Sequence, residues 1–117
     1  MLPNQLDIVK RLSELSRILD AATDEIAHAD EEVVKRKQAF EIMYARAFLE
    51  AEGAIDTRKH IATIQTAQQR LDYEIAMQKH RAVKERIATI RSQLSIGQTL
   101  SAAIRSQFQA EPIGQHT

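Results

Sequence analysis

The residues best equipped for chemistry are concentrated in one basic run, Lys79-His80-Arg81-Ala82-Val83-Lys84-Glu85-Arg86, followed closely by Arg91. Cationic side chains at this density are what a phosphate-binding surface needs, because each neutralised phosphate releases condensed counterions. On a helix turning about 100° per residue, Lys79 and Arg86 fall on one flank of a Val83-Ile87-Ile90 seam, and Lys84 and Arg91 fall on the other. That arrangement suits ion pairs across a helix–helix interface better than a stripe facing a duplex. Arg58, Lys59, Arg70 and Arg81 lie farther from the seam and are the candidate nucleic-acid or phosphate contacts.

Other constellations are weaker. Glu25-Ile26-Ala27-His28 has the Glu-x-x-His spacing that puts two metal ligands on one helix face. A carboxylate-bridged bundle site needs a second such pair and two further glutamates. His60 is preceded at that spacing by Thr57, and His80 by Met77. Glu31 and Glu32 are sequence neighbours and point in different directions on a helix, so they form no acid–base dyad. Gly53, Gly97 and Gly114 are isolated, which excludes a glycine-rich phosphate loop. The chain has no cysteine, so thiol nucleophiles, thiolate metal sites and disulfides are excluded. The expectation is a protein without catalytic, metal or cofactor-binding residues.

The elements that position these residues follow from the breakers. Between Pro3 and Pro112 the 117-residue chain contains no proline, and only Gly53 and Gly97 interrupt helix-forming sequence. This predicts helix one over about 5–52, a turn at 53–56 with Asp56 or Thr57 capping the next helix, and helix two over about 57–109. Ser92, Ser95, Thr99 and Ser101 around Gly97 predict a break or a short third helix there. Residues 112–117 read as a flexible tail after a single domain spanning 1–111. Helix one carries a coiled-coil seam, Leu12, Leu15, Leu19, Ala22, Ile26, Ala29, Val33, Phe40, Met43 and Ala47. In helix two the seam reads Ile61, Ile64, Leu71 and Ile75, then Val83, Ile87, Ile90, Leu94, Ile104 and Phe108, with a stutter through Lys79.

The halves are electrostatic complements. Residues 5–52 carry eleven acids and seven bases, whereas residues 58–108 carry nine bases and three acids. An antiparallel hairpin turning near residue 54 sets residue x opposite about 108 − x. That places Asp24 and Glu25 near Lys84, Asp30 near Lys79, and Lys35-Arg36-Lys37 near Asp72 and Glu74. The same register sets Val33 opposite Ile75, Ile18 opposite Ile90 and Leu15 beside Leu94. The predicted fold class is all-α, a long antiparallel helical hairpin of coiled-coil type. Apolar residues off the seam (Val9, Ile18, Val34, Phe48, Ile96, Leu100) widen the stripe beyond what one partner helix covers. They predict self-association, most simply a dimer forming a four-helix bundle. Phe40, Tyr44, Phe48 and Tyr73 are expected to pack together near the turn. No window is apolar enough for a membrane span and no basic stretch precedes an apolar run at the N-terminus, so a cytoplasmic location is expected.

From about Ala39 onward, Tyr44-Ala-Arg46, Leu49-Glu-Ala-Glu-Gly53, Arg58-Lys59, Arg81-Ala-Val-Lys84 and Ile90-Arg91-Ser92 leading to Ile104-Arg105 resemble small helical proteins of tailed bacteriophages and prophages. The resemblance implies a phage accessory protein, of a kind encoded among recombination and replication genes, with no catalytic residues to carry over. Three roles are consistent with the chain. The first is a non-catalytic hairpin that binds protein partners in DNA transactions. The second is an inhibitor or sponge that captures a host defence protein or a signalling nucleotide. The third is sequence-independent DNA binding through Arg58, Lys59, Arg70 and Arg81.

Overall fold

The computed structural model describes the backbone of residues 4–115 and the side chains of residues 4–108. Over that range the chain forms three helices, α1 (Gln5–Glu50), α2 (Ile55–Gln65) and α3 (Ala67–Gln115), and no strand. It is a long antiparallel helical hairpin. Helix α1 starts at a side-chain cap: Asn4 Oδ1 accepts the Asp7 N–H at 2.8 Å, satisfying one of the donors that a first turn leaves open.

The reversal occupies 51–54, two residues earlier than the composition predicts. Gly53 adopts φ +111°, the left-handed region that only glycine enters without strain. Ala54 is then extended and stands at the N-cap of α2 without a side-chain cap bond. Neither Asp56 nor Thr57 is the cap. Both lie inside the first turn, where the Asp56 carboxylate faces the positive end of the helix dipole.

The predicted break near 97 is absent, and one occurs at Thr66 instead. Thr66 has φ −107° and ψ 16°, and its Oγ1 donates to the Ala62 carbonyl at 2.7 Å, the back-bonding by which threonine loosens a helix. At Gly97 the helix continues because that position meets another side chain. A Cβ there would lie 2.6 Å from Leu12 Cδ2. The predicted end near 109 is likewise not a helix end, since α3 is helical through Gln115. His116 and Thr117 of the expected tail lie outside the described residues.

The chain has two compact units, Asp24–Lys84 and the pair of segments Met1–Thr23 and Glu85–Thr117. In Asp24–Lys84 the seam of α2 and α3 runs through Ala62, Thr66, Gln69, Tyr73, Ala76, His80 and Val83, with Arg58, Ile61, Asp72 and Met77 half-buried beside it. The steps of the seam alternate four and three without a slip, a regular heptad. The stutter through Lys79 therefore does not occur, and Lys79 is exposed. Small residues take the contact, with Ala47, Ala62 and Ala76 buried, and the larger Ile64, Leu71 and Ile75 are left outside. On α1 of the same unit the seam runs Ile26, Ala29, Val33, Phe40, Tyr44 and Ala47. Tyr44 replaces Met43, which is exposed. Phe40 stacks on Tyr73 at 6.3 Å and meets Tyr44 edge-on at 6.2 Å, so these three rings pack together as expected.

In the second unit Ile8, Leu15 and Ala22 are buried on α1, and Ile87 and Ile90 on α3. Leu12, Leu19, Leu94 and Ile104 are half-buried around them. Leu15 and Leu94 thus share the seam, whereas Ile18 and Phe108 are exposed.

Candidate functional site

The four cationic candidates do not form one surface. Arg58 is committed to the fold: its Nε and Nη2 donate to the Phe48 carbonyl at 3.2 and 3.1 Å, and its guanidinium carbon lies 4.3 Å from the centre of the Phe48 ring. The Phe48 carbonyl is one of the acceptors that the end of α1 leaves unpaired. Arg58 is therefore a C-terminal cap supplied from α2, and Phe48 packs beneath it rather than with Phe40. Arg70 is paired with Glu74 one turn along α3 at 3.2 Å. Lys59 and Arg81 are exposed and form no ion pair among the described residues.

The charge register is realised at one place within Asp24–Lys84. Arg36 Nη1 lies 3.8 Å from Asp72 Oδ2, on the expected pairing. Asp30 meets His80 Nε2 instead of Lys79, because His80 occupies the seam position while Lys79 stands on the flank, beside Glu32 and Arg36 in a shallow indentation of about 180 Å³. Lys84, the expected partner of Asp24 and Glu25, is exposed and forms no ion pair among the described residues. Other charge contacts run along α1: Lys35 to Glu31 at 3.0 Å and Arg36 to Glu32 at 2.7 Å. The hydrogen bond and charge of Lys35 hold the Glu31 carboxyl below the ordinary glutamate range. Glu32 does the converse for Arg36, raising it further.

In the unit that pairs the N-terminal part of α1 with the C-terminal part of α3, a groove of about 470 Å³ runs past Leu12 and Gly97. It is lined mainly by Ile8, Leu12, Leu15, Ile96 and Leu100, with Asp7, Arg11 and Gln93 at its rim. Its walls are apolar, and one arginine beside one aspartate is not a phosphate cradle. Among the described residues no three His, Asp or Glu side chains converge as metal ligands would. No helix among them is long and apolar enough to cross a membrane.

The feature that the sequence reading placed on the wrong face is a second apolar stripe. Ile64, Gln68, Leu71, Ile75, Gln78 and Ala82 follow one another at alternating steps of four and three, on the side of α2 and α3 away from the buried seam, with the half-buried Ile61 at its start. Ile64 is 76% exposed, Leu71 48% and Ile75 42%. The period was legible in the sequence. The inner seam was harder to find because it is built from alanine, threonine and polar residues, which carry little hydrophobic signal.

Compared with known proteins, the chain matches no family model, and no curated protein or solved structure shows significant similarity to it. Roles for its residues therefore come from its own geometry.

Proposed function

We propose that this protein is a non-catalytic helical hairpin that self-associates and binds macromolecular partners through its helix faces. The observation that carries this reading is the exposed, heptad-spaced stripe of Ile64, Leu71 and Ile75 on the side of the hairpin that its own chain leaves uncovered. Such a stripe is what helix-in-groove recognition and coiled-coil assembly use, and a large exposed apolar patch marks an interaction surface. We place that binding among accessory roles in DNA recombination or replication on the ground of short stretches, such as Arg81-Ala-Val-Lys84 and Ile90-Arg91-Ser92, that resemble small phage and prophage proteins.

Direct DNA binding is the lesser part of this reading. Arg58 is occupied by Phe48 and Arg70 by Glu74, so of the four candidate contacts Lys59 and Arg81 are those without an ion pair among the described residues, and two phosphate contacts give weak binding. Capture of a host defence protein would use the same apolar stripe. Capture of a signalling nucleotide finds no support in the Leu12–Gly97 groove, whose walls are apolar.

Light scattering of the intact chain, with and without duplex DNA over a series of salt concentrations, tests the proposal. Helix-face association gives an assembly whose mass is insensitive to salt. A strictly monomeric chain that binds DNA with a steep salt dependence would refute it, because each phosphate contact contributes roughly −0.9 to the logarithmic slope.

A further inference from the structure

We infer that the flank of α3 bearing Arg81, Lys84, Arg91 and Arg105 is a contact surface for the phosphate backbone of a nucleic-acid duplex. This goes beyond helix-face association and stands on separate observations.

Lys84, Arg91 and Arg105 are separated by whole heptads, so they repeat on one flank of α3, and Arg81 stands one turn before Lys84. All four are exposed and form no ion pair among the described residues. In a helical hairpin such flanking cations ordinarily pair with acids of the opposing helix. Here that explanation fails. In the unit where Leu12 meets Gly97, Arg11, Gln93 and Leu100 line the groove on one side of the seam, and Arg91 and Arg105 stand on the other. The α1 positions beside the seam on that side are Val9, Ser16 and Thr23, none of them acidic. Along α3 itself, Glu85 is the one acid between Glu74 and Glu111. It stands on the outward face, and Glu74 is held by Arg70.

The residues between the cations select the partner. Ala88, Ser95, Gln98 and Ala102 fill the flank, all exposed and none a large apolar side chain. A membrane-binding helix needs large apolar side chains beside its cations, and a single-strand binder needs aromatic rings on which bases stack. The flank has neither. Small side chains let a phosphate backbone approach, and the Ser95 hydroxyl and Gln98 amide can donate to phosphate oxygens. The spacing agrees. Lys84 to Arg91 rises about 10 Å and Arg91 to Arg105 about 21 Å, together close to the ~34 Å turn of a duplex. The two intervals stand one to two, as do the minor and major grooves, roughly 6 and 12 Å wide. A duplex lying along α3 therefore brings a backbone past each of the three cations.

Fluorescence anisotropy of the full chain with a labelled duplex of about 20 base pairs, at salt from about 50 to 200 mM, tests the inference. The wild type is expected to bind with a logarithmic salt slope of roughly −3 to −4, about −0.9 for each of four contacts. Lys84→Gln, Arg91→Gln and Arg105→Gln should each flatten that slope by about 0.9 and weaken binding several-fold. The three together should abolish binding, with helix content by circular dichroism unchanged. Lys10→Gln, on α1 outside the flank, should bind as the wild type does. A wild type that leaves the duplex free at the lowest salt, a triple variant that still binds it, or tighter binding to phosphatidylglycerol vesicles than to the duplex would each overturn the surface. Sedimentation of the same proteins separates this outcome from the proposed function. The triple variant should self-associate as the wild type does, and a loss of self-association along with DNA binding would overturn the assignment, because the cations would then serve assembly.

Discussion

The γ-branch of Leu12 occupies the space that a side chain at Gly97 would need: a Cβ at 97 would fall 2.6 Å from Leu12 Cδ2 and 3.4 Å from its Cγ. Glycine inside a helix costs about 1 kcal/mol relative to alanine, so this glycine is retained against local propensity by a contact from the opposite helix. Gly97→Ala alone should therefore give little or no stabilisation in urea unfolding, its propensity gain being offset by displacement of Leu12. In a Leu12→Ala background the same substitution should stabilise by about 1 kcal/mol. Equal effects in both backgrounds would show that the two residues are uncoupled.

Arg58 ties the start of α2 to the end of α1 through the Phe48 carbonyl and ring. Arg58→Ala should lower stability by about 1–2 kcal/mol, combining a charge-assisted hydrogen bond with a cation–π contact. Arg58→Lys should recover only part of it, since an ammonium cannot make the forked contact. A role in nucleic-acid contact predicts the opposite pattern, unchanged thermal unfolding with weakened binding.

Within the covered face of Asp24–Lys84, the Gln69 side-chain oxygen is buried without a hydrogen-bond partner. An unmet buried acceptor carries its full desolvation cost. Gln69→Leu or Gln69→Met should raise stability by about 1 kcal/mol or more, read from the midpoint of thermal unfolding. A loss of stability instead would mean that the amide donates a bond the seam requires.

What could be read from the chain, and what could not, follows from which residues carry strong signals. Gly53 and the absence of proline announce two limbs and a reversal, and the Arg36–Asp72 contact lies on the register drawn from charge alone. The inner seam of α2 and α3 was misplaced by one residue because Ile61 and Ile75 outweigh Ala62 and Ala76 in any apolar count, although the alanines are the buried ones. Gly97 was read as a break because propensity cannot see Leu12 across the hairpin. Thr66 was overlooked because a threonine that bonds its own helix looks like any surface threonine. Arg58 was assigned to an outside partner because the acceptors it satisfies appear only once the turn has formed.

Acid should loosen the exposed Glu31–Lys35 pair of α1 only below the ordinary glutamate range. Glu31 has a carboxyl held low by Lys35, so its contribution is present above the ordinary glutamate range and is lost as pH falls through the lowered value. Helical ellipticity should therefore decline slightly on acidification in the wild type and less in Lys35→Ala. Because the pair is fully solvated, the change is small and should shrink further in high salt. Identical acid titrations for the two proteins would contradict the assignment.

Helices α2 and α3 carry two seams, an inner one closed by α1 and an outer one, with Ile64, Leu71 and Ile75, left exposed. Because the chain has no cysteine, use of the outer seam in self-association can be measured directly by mild oxidation of a Leu71→Cys variant beside an Ile96→Cys variant outside the stripe. The disulfide between copies should form faster at position 71 than at position 96, and the difference should vanish in denaturant. Equal rates in native buffer, or no cross-link at all, would contradict it.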